Sequence, residues 1–432
     1  MTAETQEGVA ATRAATFRQV FEVREFRPLF GTFLLSTAGD ELARVALTVL
    51  VYQRTDSPLL SAATFAISYL PWLLFGPLLA TLADRFPRHR VLIASDAARA
   101  ALVALMAIPG TPLPLLLALL FVVALCSPPF ESARSALMAD ILDGDRYAVA
   151  NSLTNVSIQL AQVIGFLLAG ALVAALNPSA ALLLNAATFA LSALWLTRGL
   201  QRRPAPGAEA GGSGGVIRDA AEGFRLIRRT PRLLAVIGVL WIGTLFAYAS
   251  EGIAAPLVSE LGFGTSAVGI LLAANPLGVT VGGLVVARLI PPHRREALVP
   301  HLVVLSLAPL VVAGLVGGLA APGIGAFAVV VGMLFLSGLG GAWLIPLNVS
   351  FVQAVPSAFR GRAFGVAVAG LYGVQGIGVL GAGLLAEGLP PTAVVAVSGA
   401  AGLLAVIPPL IGYVRTQGHV APTAGRAGSS EA

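Results

Sequence analysis

Four ionisable side chains lie inside long apolar stretches of this chain. Asp40, Glu41 and Arg44 interrupt one stretch, and Glu251 interrupts another. On a helix, Arg44 follows Asp40 by four positions and Glu41 by three, so it can reach either acid. Arg44 can neutralise only one of them, and a low dielectric favours the neutral form of the other. An acid in that situation can load and release a proton. The pattern therefore predicts a proton-coupling site made of Asp40, Glu41, Arg44 and Glu251.

Each part of this site has an alternative interpretation. The cluster around Arg44 is also compatible with a permanent ion pair that fixes one helix against another. Within it, Glu41 is favoured as the proton carrier and Asp40 as a structural group. No basic residue lies within one helical turn of Glu251. Glu251 is therefore either a second site for a proton or a cationic substrate, or a group near enough to the outer membrane boundary to stay hydrated.

Polar side chains recur along another apolar stretch at helical spacing. Asn151, Asn155, Gln159 and Gln162 share one helix face. In lipid such a face must turn inward, towards a cavity or towards hydrogen-bond partners on other helices. Aromatic side chains that can form an apolar wall are Tyr69, Trp72, Trp241, Phe246, Tyr248 and Trp343, although each is also compatible with plain packing. The predicted substrate cavity is lined by Asn155, Gln159, Gln162, Tyr248, Trp343, Tyr372 and Gln375.

A dense run of charge, ATLADRFPRHR at residues 80–90, separates two long apolar runs. Asp84 can accept hydrogen bonds from the free N–H groups of a helix that begins near residues 357–361, where the helix dipole favours an anion. Neighbouring arginines can pair with acids such as Glu131 and Asp140. The predicted conformational latch comprises Asp84, Arg85, Arg88, Arg90, Glu131, Arg134, Arg360 and Arg362. The alternative is a topology signal with solvated charges. Asp96 and Arg99 form one further pair, three positions apart, near the same boundary.

The elements that must position these residues are membrane helices. The chain is 57% hydrophobic and 11% charged, with a mean hydropathy of +0.87, whereas soluble domains carry roughly 25% charged residues. The apolar runs are too long for strands and do not alternate, so each must satisfy its backbone as a helix. Twelve helices are predicted, at residues 28–52, 58–82, 91–108, 115–138, 149–176, 180–200, 233–261, 266–290, 298–319, 324–354, 363–387 and 392–414.

Arginine placement predicts the topology. All 27 basic residues other than histidine are arginines, and they concentrate in the N-terminal segment and in alternate loops. By the positive-inside rule both termini are cytoplasmic in a bacterial plasma membrane. The predicted organisation is a cytoplasmic segment (1–27), a six-helix bundle (28–200), a cytoplasmic linker with an amphipathic helix (201–231), a second six-helix bundle (232–414) and a disordered tail (415–432). The linker helix is expected either on the membrane surface or in solvent.

An internal repeat relates the two halves. GLVVARLIPPHRR at 283–295 occupies the place of the charged run at 80–90, with Ala287 at the position of Asp84. GFLLAGALVA at 165–174 is likewise matched by GVLGAGLLAE at 378–387. The chain is therefore predicted to be an all-α membrane protein with twelve transmembrane helices in two pseudo-symmetric six-helix bundles. In such proteins the site lies between the repeats, near the middle of the membrane.

These motifs resemble the major facilitator superfamily over nearly the whole chain. A narrower resemblance is to the bacterial branch that contains macrolide-efflux and enterobactin-exporter-type proteins. It rests on Gly39-Asp40, on LADR at 82–85, on SARSA at 132–136 with ANS at 150–152, and on RGRAFG at 360–365. The resemblance implies the major facilitator fold, alternating access and a central cavity bordered by the fifth helix. The sequence differs from the superfamily's drug antiporters at Gly165-Phe166, where those proteins often have Gly-Pro.

The expected function is secondary active export of an amphiphilic small molecule, such as a drug, a macrolide-like natural product or a siderophore, by proton antiport. Alternatives are uptake or facilitated diffusion, and a transporter-like sensor or scaffold without turnover. The sequence has no nucleotide-binding loop, no metal-ligand cluster and no nucleophile elbow, so neither an enzyme nor a cofactor is expected. The expected partners are the substrate, protons and membrane lipid, without nucleic acid, and the chain is expected to act as a monomer.

Overall fold

A computed structural model of the chain describes residues 16–80, 82–205, 216–356 and 359–417. Within these ranges the regular structure is entirely helical. Twelve long helices follow one another: α1 (Phe26–Thr55), α2 (Pro58–Ala80), α3 (Arg88–Met106), α4 (Leu113–Ile141), α5 (Gly144–Ala175), α6 (Pro178–Gly199), α7 (Pro231–Glu251), α8 (Thr265–Leu289), α9 (Val299–Leu319), α10 (Ile324–Ala354), α11 (Arg360–Ala386) and α12 (Pro391–Thr416). Short helices at Phe17–Phe21, Leu82–Arg85 and Val216–Arg229 accompany them.

Most helix bounds match the predicted ones to within a few residues; the main exceptions are the end of α7, at Glu251 rather than at residue 261, and the start of α5. Helix α5 begins at Gly144 rather than at residue 149, so all but two of the residues between the predicted helices at 115–138 and 149–176 are helical. Asp143 precedes it in an extended conformation, and Gly144 adopts a φ of 44°. A positive φ is readily available to glycine because it has no Cβ atom. The turn between α4 and α5 is therefore reduced to two residues, 142 and 143.

Four of the long helices are interrupted. The breaks lie at Cys126 in α4, at Gly341–Trp343 in α10, at Val406 in α12 and after Ala247 in α7. Consecutive prolines follow the breaks in α4 and α12, and proline cannot donate the backbone hydrogen bond that would continue the helix. In α7 the chain passes through a 3-10 turn, Ala249–Glu251, and becomes α-helical again at Ala254–Glu260. Irregular backbone of this kind is tolerated within a membrane only where protein or a cavity surrounds it.

Ten helical segments of the described chain are long and apolar enough to cross a membrane. The two remaining long helices, α1 and α3, fall outside that set because they hold several charged residues each. In α1 these include Asp40, Glu41 and Arg44. Each of the two helices that composition alone excludes carries buried charge, Glu41 in α1 and Asp96 with Arg99 in α3.

The helices pack as two bundles that meet along two seams. In the first half α1 packs on α5 and α6, and α3 packs on α6. In the second half α8 and α9 pack on α10, and α12 packs on α9. Between the halves, α2 packs against α11 and α5 packs against α8. The end that carries the starts of α1 and α11 is called the termini side below, and the opposite end, which carries the starts of α2 and α12, is called the far side.

Glycines display the repeat in the packing. A Cβ atom at Gly165 in α5 would lie 2.9 Å from the Ala38 carbonyl oxygen in α1, and one at Gly378 in α11 would lie 2.1 Å from the Leu245 carbonyl oxygen in α7. The repeat aligns these two glycines. Each half therefore uses the same close helix approach at the same place, and a larger residue there would separate the helices.

The linker helix Val216–Arg229 lies against the second half. A Cβ atom at Gly223 would lie 2.7 Å from the Arg362 carbonyl oxygen, and the Ile227 side chain is buried. The described part of this helix thus packs on protein, whereas the sequence left a membrane-surface helix and a solvated helix as the two expectations.

Candidate functional site

A central cavity of about 570 Å³ lies between the two halves. The first half contributes wall residues from α1 to α6, and the second half contributes them from α7, α8, α10 and α11. Most of the predicted coupling and cavity residues line it. They are Asp40, Glu41, Arg44, Gln159, Gln162, Tyr248, Glu251, Tyr372 and Gln375.

Glu41 is held on both sides of its carboxylate. Arg44 Nη1 donates to Glu41 Oε2 at 2.7 Å, and Gln162 Nε2 from α5 donates to Glu41 Oε1 at 3.3 Å. Only 3% of Glu41 is exposed. Gly165, one turn beyond Gln162, allows this approach, because a Cβ atom there would lie 2.9 Å from Glu41 Cβ. Of the two acids within reach of Arg44, the folded protein therefore pairs it with Glu41.

Arg44 also faces aromatic rings of α2. Its guanidinium carbon lies 5.5 Å from the centroid of Phe65 and 5.9 Å from that of Tyr69. Both distances suit cation–π attraction, which strengthens when the cation is desolvated. The positive charge of Arg44 is thus shared between one carboxylate and two ring faces.

Glu251 meets the first half at this cluster. It lies in the 3-10 interruption of α7 and lines the cavity. The Tyr69 hydroxyl from α2 is within hydrogen-bonding reach of its carboxylate, and Arg44 and Glu41 are its charged neighbours. The sequence offers no basic residue within a helical turn of Glu251. Its cationic neighbour comes instead from the other half, so local spacing gave no signal for this contact.

Three aromatic rings form a stack across the seam between α2 and α11. The Tyr372 ring of α11 stacks on Trp72 with centroids 5.0 Å apart, and on Tyr69 with centroids 6.0 Å apart. All three side chains line the cavity. Of the six aromatic residues that the sequence suggested for an apolar wall, Tyr69, Trp72 and Tyr248 line the cavity, whereas Trp241, Phe246 and Trp343 are not among its lining residues.

Two predicted cavity residues are not at the cavity wall. Trp343 is 1% exposed and packs against Gly243, where a Cβ atom would lie 3.2 Å from its ring. The 3-10 turn Gly341–Trp343 places this ring in the core of the second half, which corrects the cavity prediction for it. Asn155 is exposed and lies two turns before Gln162, nearer the termini side.

Arg99 is a cavity residue that sequence reasoning placed only in a boundary pair. Its Nη1 lies 3.6 Å from Asp96 Oδ1, and its Nη2 donates to the Cys126 carbonyl oxygen at 3.0 Å. That carbonyl lies at the break of α4. The guanidinium also lies 4.7 Å from the Phe130 ring centroid. A buried arginine therefore pairs with backbone that the helix break exposes, and it reaches the cavity wall.

Four described residues of the predicted latch, Arg88, Glu131, Arg134 and Arg362, form ion pairs. Arg88 pairs with Asp140, and Arg134 Nη2 lies 2.7 Å from Glu131 Oε2. Arg362 Nη1 lies 2.7 Å from Glu222 Oε2 in the linker helix. The side chains of three further arginines are exposed, namely Arg85, Arg90 and Arg360.

The centre of that latch is not among the described positions. The Asp84 side chain and residues 357 and 358 lie outside the described part of the chain. The latch at Asp84 therefore stays a prediction.

A large cavity between two pseudo-symmetric bundles of membrane helices is the architecture of a multi-pass membrane transporter. The chain belongs to the Major Facilitator Superfamily, whose family model matches residues 29–317.

A curated relative is the uncharacterized MFS-type transporter YfiS of Bacillus subtilis (strain 168), 26% identical over 379 residues that cover 83% of this chain and 86% of the relative. Among solved structures, the nucleoside transporter NupG superposes with a TM-score of 0.68 at 14% identity, over 89% of this chain and 98% of its own. A POT family transporter in complex with 5-aminolevulinic acid gives a TM-score of 0.72 at 14% identity, over 94% and 98%. Both similarities concern the fold alone.

Proposed function

We propose that this protein is a secondary active transporter that exports an amphiphilic small molecule by alternating access, with protons moving the opposite way. The observation that carries the proposal is the meeting of Glu251 from the second half with Glu41 and Arg44 from the first half at one cavity. Narrower membership in the macrolide-efflux and enterobactin-exporter-type branch belongs to the same proposal. It is supported by the motifs around Asp84 and Arg360.

The two acids differ in what happens when the halves move apart. Both partners of Glu41, Arg44 and Gln162, belong to the first half and move with it. The charged neighbours of Glu251 and the Tyr69 hydroxyl that reaches its carboxylate belong to the half opposite its own. A rocking motion therefore changes the surroundings of Glu251 more than those of Glu41. This makes Glu251 the acid whose affinity for a proton depends most on conformation, and Glu41 with Arg44 the fixed countercharge.

The cavity wall favours a cationic substrate over an anionic one. Four acids line it (Asp40, Glu41, Glu131 and Glu251), against two arginines (Arg44 and Arg99). Its volume of about 570 Å³ lies within the range of roughly 300–1,000 Å³ of small-molecule sites. The stacked rings of Trp72, Tyr69 and Tyr372 offer faces to an apolar body and to a positive charge.

The setting we propose is a bacterial plasma membrane with both termini in the cytoplasm. The termini side then faces the cytoplasm and the far side faces outward. The units are a six-helix bundle at 28–200, a linker at 201–231 and a second bundle at 232–414, and the transporter works as a monomer. Arginine placement supports the orientation.

Proton release on ligand binding tests the proposal. Purified protein in weakly buffered detergent solution receives tetraphenylphosphonium, a hydrophobic organic cation, and the pH is recorded. We expect release of about one proton per bound cation near neutral pH, because a cation and a proton compete for one carboxylate. Glu251→Gln is expected to abolish the release. Glu222→Gln, which changes an acid of the linker helix outside the cavity, serves as the matched control and is expected to leave it intact.

The same assay separates the alternatives. Binding without proton release at any pH between 5 and 9 favours uptake or facilitated diffusion and contradicts antiport. If neither tetraphenylphosphonium nor its anionic analogue tetraphenylborate binds, a sensor or scaffold is favoured. Direction is then measured in proteoliposomes with an imposed pH gradient, where export predicts substrate movement against the inward proton flow.

A further inference from the structure

A carboxylate from the second half is bound at the start of a helix in the first half. Glu387 directly follows α11 on the far side. Its Oε1 accepts a hydrogen bond from Ser57 Oγ at 2.6 Å and another from the Leu59 backbone N–H at 3.0 Å. Ser57 and Leu59 flank Pro58, the first residue of α2. The contact joins residues 330 positions apart in the chain.

The start of a helix is a favourable place for this carboxylate. The first N–H groups of α2 have no partner inside the helix, and the helix dipole is positive there. The hydrogen bonds from Ser57 and from the Leu59 backbone hold the pKa of Glu387 below its usual value. Glu387 therefore stays ionised in neutral and mildly acidic medium, so the contact persists over that range.

The packing beneath Glu387 is closed. One turn earlier in α11, a Cβ atom at Gly383 would lie 2.5 Å from Ala62 Cβ of α2. Directly after α7, a Cβ atom at Gly252 would lie 3.0 Å from the same Ala62, and Ser61 Oγ donates to the Gly252 carbonyl oxygen at 3.4 Å. The two halves therefore touch here without room for a further methyl group. Glu387 lies at the rim of this closed seam.

The internal repeat makes Glu387 unusual. The alignment that pairs Gly165 with Gly378 places Ala174 of α5 at the position of Glu387. It likewise places Ala287 at the position of Asp84, just after the termini-side end of α2. Of the two seams, α2–α11 thus carries an acid beyond the end of each helix, whereas α5–α8 has alanine at both corresponding positions.

We propose that Glu387 is a far-side latch of the α2–α11 seam: its carboxylate at the start of α2 holds the far side closed in the conformation seen here and is released when that end of the seam opens. The latch rests on the alternating access of the proposed function and not on its proton coupling.

Distance measurements between spin labels test the far-side contact. In a Cys126→Ala background, labels at Ala175→Cys, at the far-side end of α5, and at Ala321→Cys, after α9, report the separation of the halves. Glu387→Ala removes the acceptor of both hydrogen bonds. We expect it to raise the population with a long separation about three- to tenfold, the size that corresponds to the typical net contribution of one intramolecular hydrogen bond.

A closely matched contact provides the control. Glu260, at the end of the helix that continues α7, accepts from Thr392 N at 2.8 Å and from Thr392 Oγ1 at 2.7 Å, at the start of α12. It is also a carboxylate at a helix start on the far side, but both partners belong to the second half. Glu260→Ala is expected to leave the distance distribution unchanged. An unchanged distribution in Glu387→Ala, or an equal shift in Glu260→Ala, overturns the latch.

Melting temperatures of both variants establish that each is folded. The measurement uses neither substrate nor a proton gradient, so failure of the latch and failure of the antiport proposal are read separately.

Discussion

Arg44 shows how a single side chain organises the cavity. It follows Glu41 by three positions and Asp40 by four, and both spacings suit a helical ion pair. The choice of Glu41 depends on α5, because Gln162 fixes the second oxygen of that carboxylate and Gly165 lets α5 approach. The Glu41 charge is thereby matched on both sides while it is removed from water. A buried pair of this kind leaves a costly lone charge when one partner is removed.

Replacing Arg44 tests this interpretation of the pair. Arg44→Met leaves Glu41 buried without its cation and is expected to destabilise the protein by about 3 kcal/mol. The double variant Glu41→Gln/Arg44→Met removes both charges and is expected to recover at least half of that loss. The wild type, Glu41→Gln, Arg44→Met and the double variant form a double-mutant cycle, and the stability of each is measured by thermal unfolding in detergent. If the two single effects simply add, Glu41 and Arg44 do not act as a pair.

Helix α8 contributes to closure of the far side through its tight contact with α5. It meets α5 where Gly170 and Gly269 face each other, and a Cβ atom at Gly269 would lie 2.2 Å from the Phe166 carbonyl oxygen. Backbone thus lies against backbone on the far side of this seam, as it does between α2 and α11. Small residues of this type let membrane helices approach closely. The far side can therefore shut only if both seams keep their glycines.

A larger residue at this crossing tests the role of α8. Gly269→Val is expected to prevent closure of the far side, because overpacking a tight contact costs roughly 1–3 kcal/mol. The spin-label distances described above should shift to the long separation, and transport should fall with it. Gly332→Val in α10 is the matched control, since nothing lies within 4 Å of a Cβ atom there. A normal distance distribution in Gly269→Val contradicts the argument.

At the scale of the whole molecule, charge and packing give complementary information. Arginines concentrate on the termini side, including the paired Arg88, Arg134 and Arg362. The far side instead carries two carboxylates at helix starts, Glu387 and Glu260. This asymmetry agrees with a termini side that faces the cytoplasm and its anionic lipid surface.

Labelling in intact cells tests the orientation. In the Cys126→Ala background, Ala321→Cys on the far side is expected to react with a membrane-impermeant maleimide added outside. Arg228→Cys in the linker helix is expected to react only after the cells are permeabilised. The reason is that arginine-rich segments are retained in the cytoplasm during insertion. The reverse pattern would invert the topology and, with it, the assignment of outward and inward sides.

Much of the architecture could be predicted because lipid imposes local rules. An apolar run of some 20 residues must be a helix in lipid, whatever its neighbours are. The sequence alone therefore determined the twelve helices, the repeat that pairs Gly165 with Gly378, and the reach of Arg44 to two acids. The stripe of Gln159 and Gln162 was likewise visible from helical spacing alone.

The remaining features depend on contacts between distant parts of the chain, which only the tertiary structure decided. Arg44 pairs with Glu41 because Gln162 of α5 binds the second oxygen of that carboxylate. The charged neighbours of Glu251 come from the opposite half. The Trp343 ring is buried because the 3-10 turn in α10 directs it into the core. The contact of Glu387 with Ser57 spans 330 positions. Helical periodicity relates residues within a few turns of each other, whereas the mutual placement of helices follows from the packing of whole surfaces.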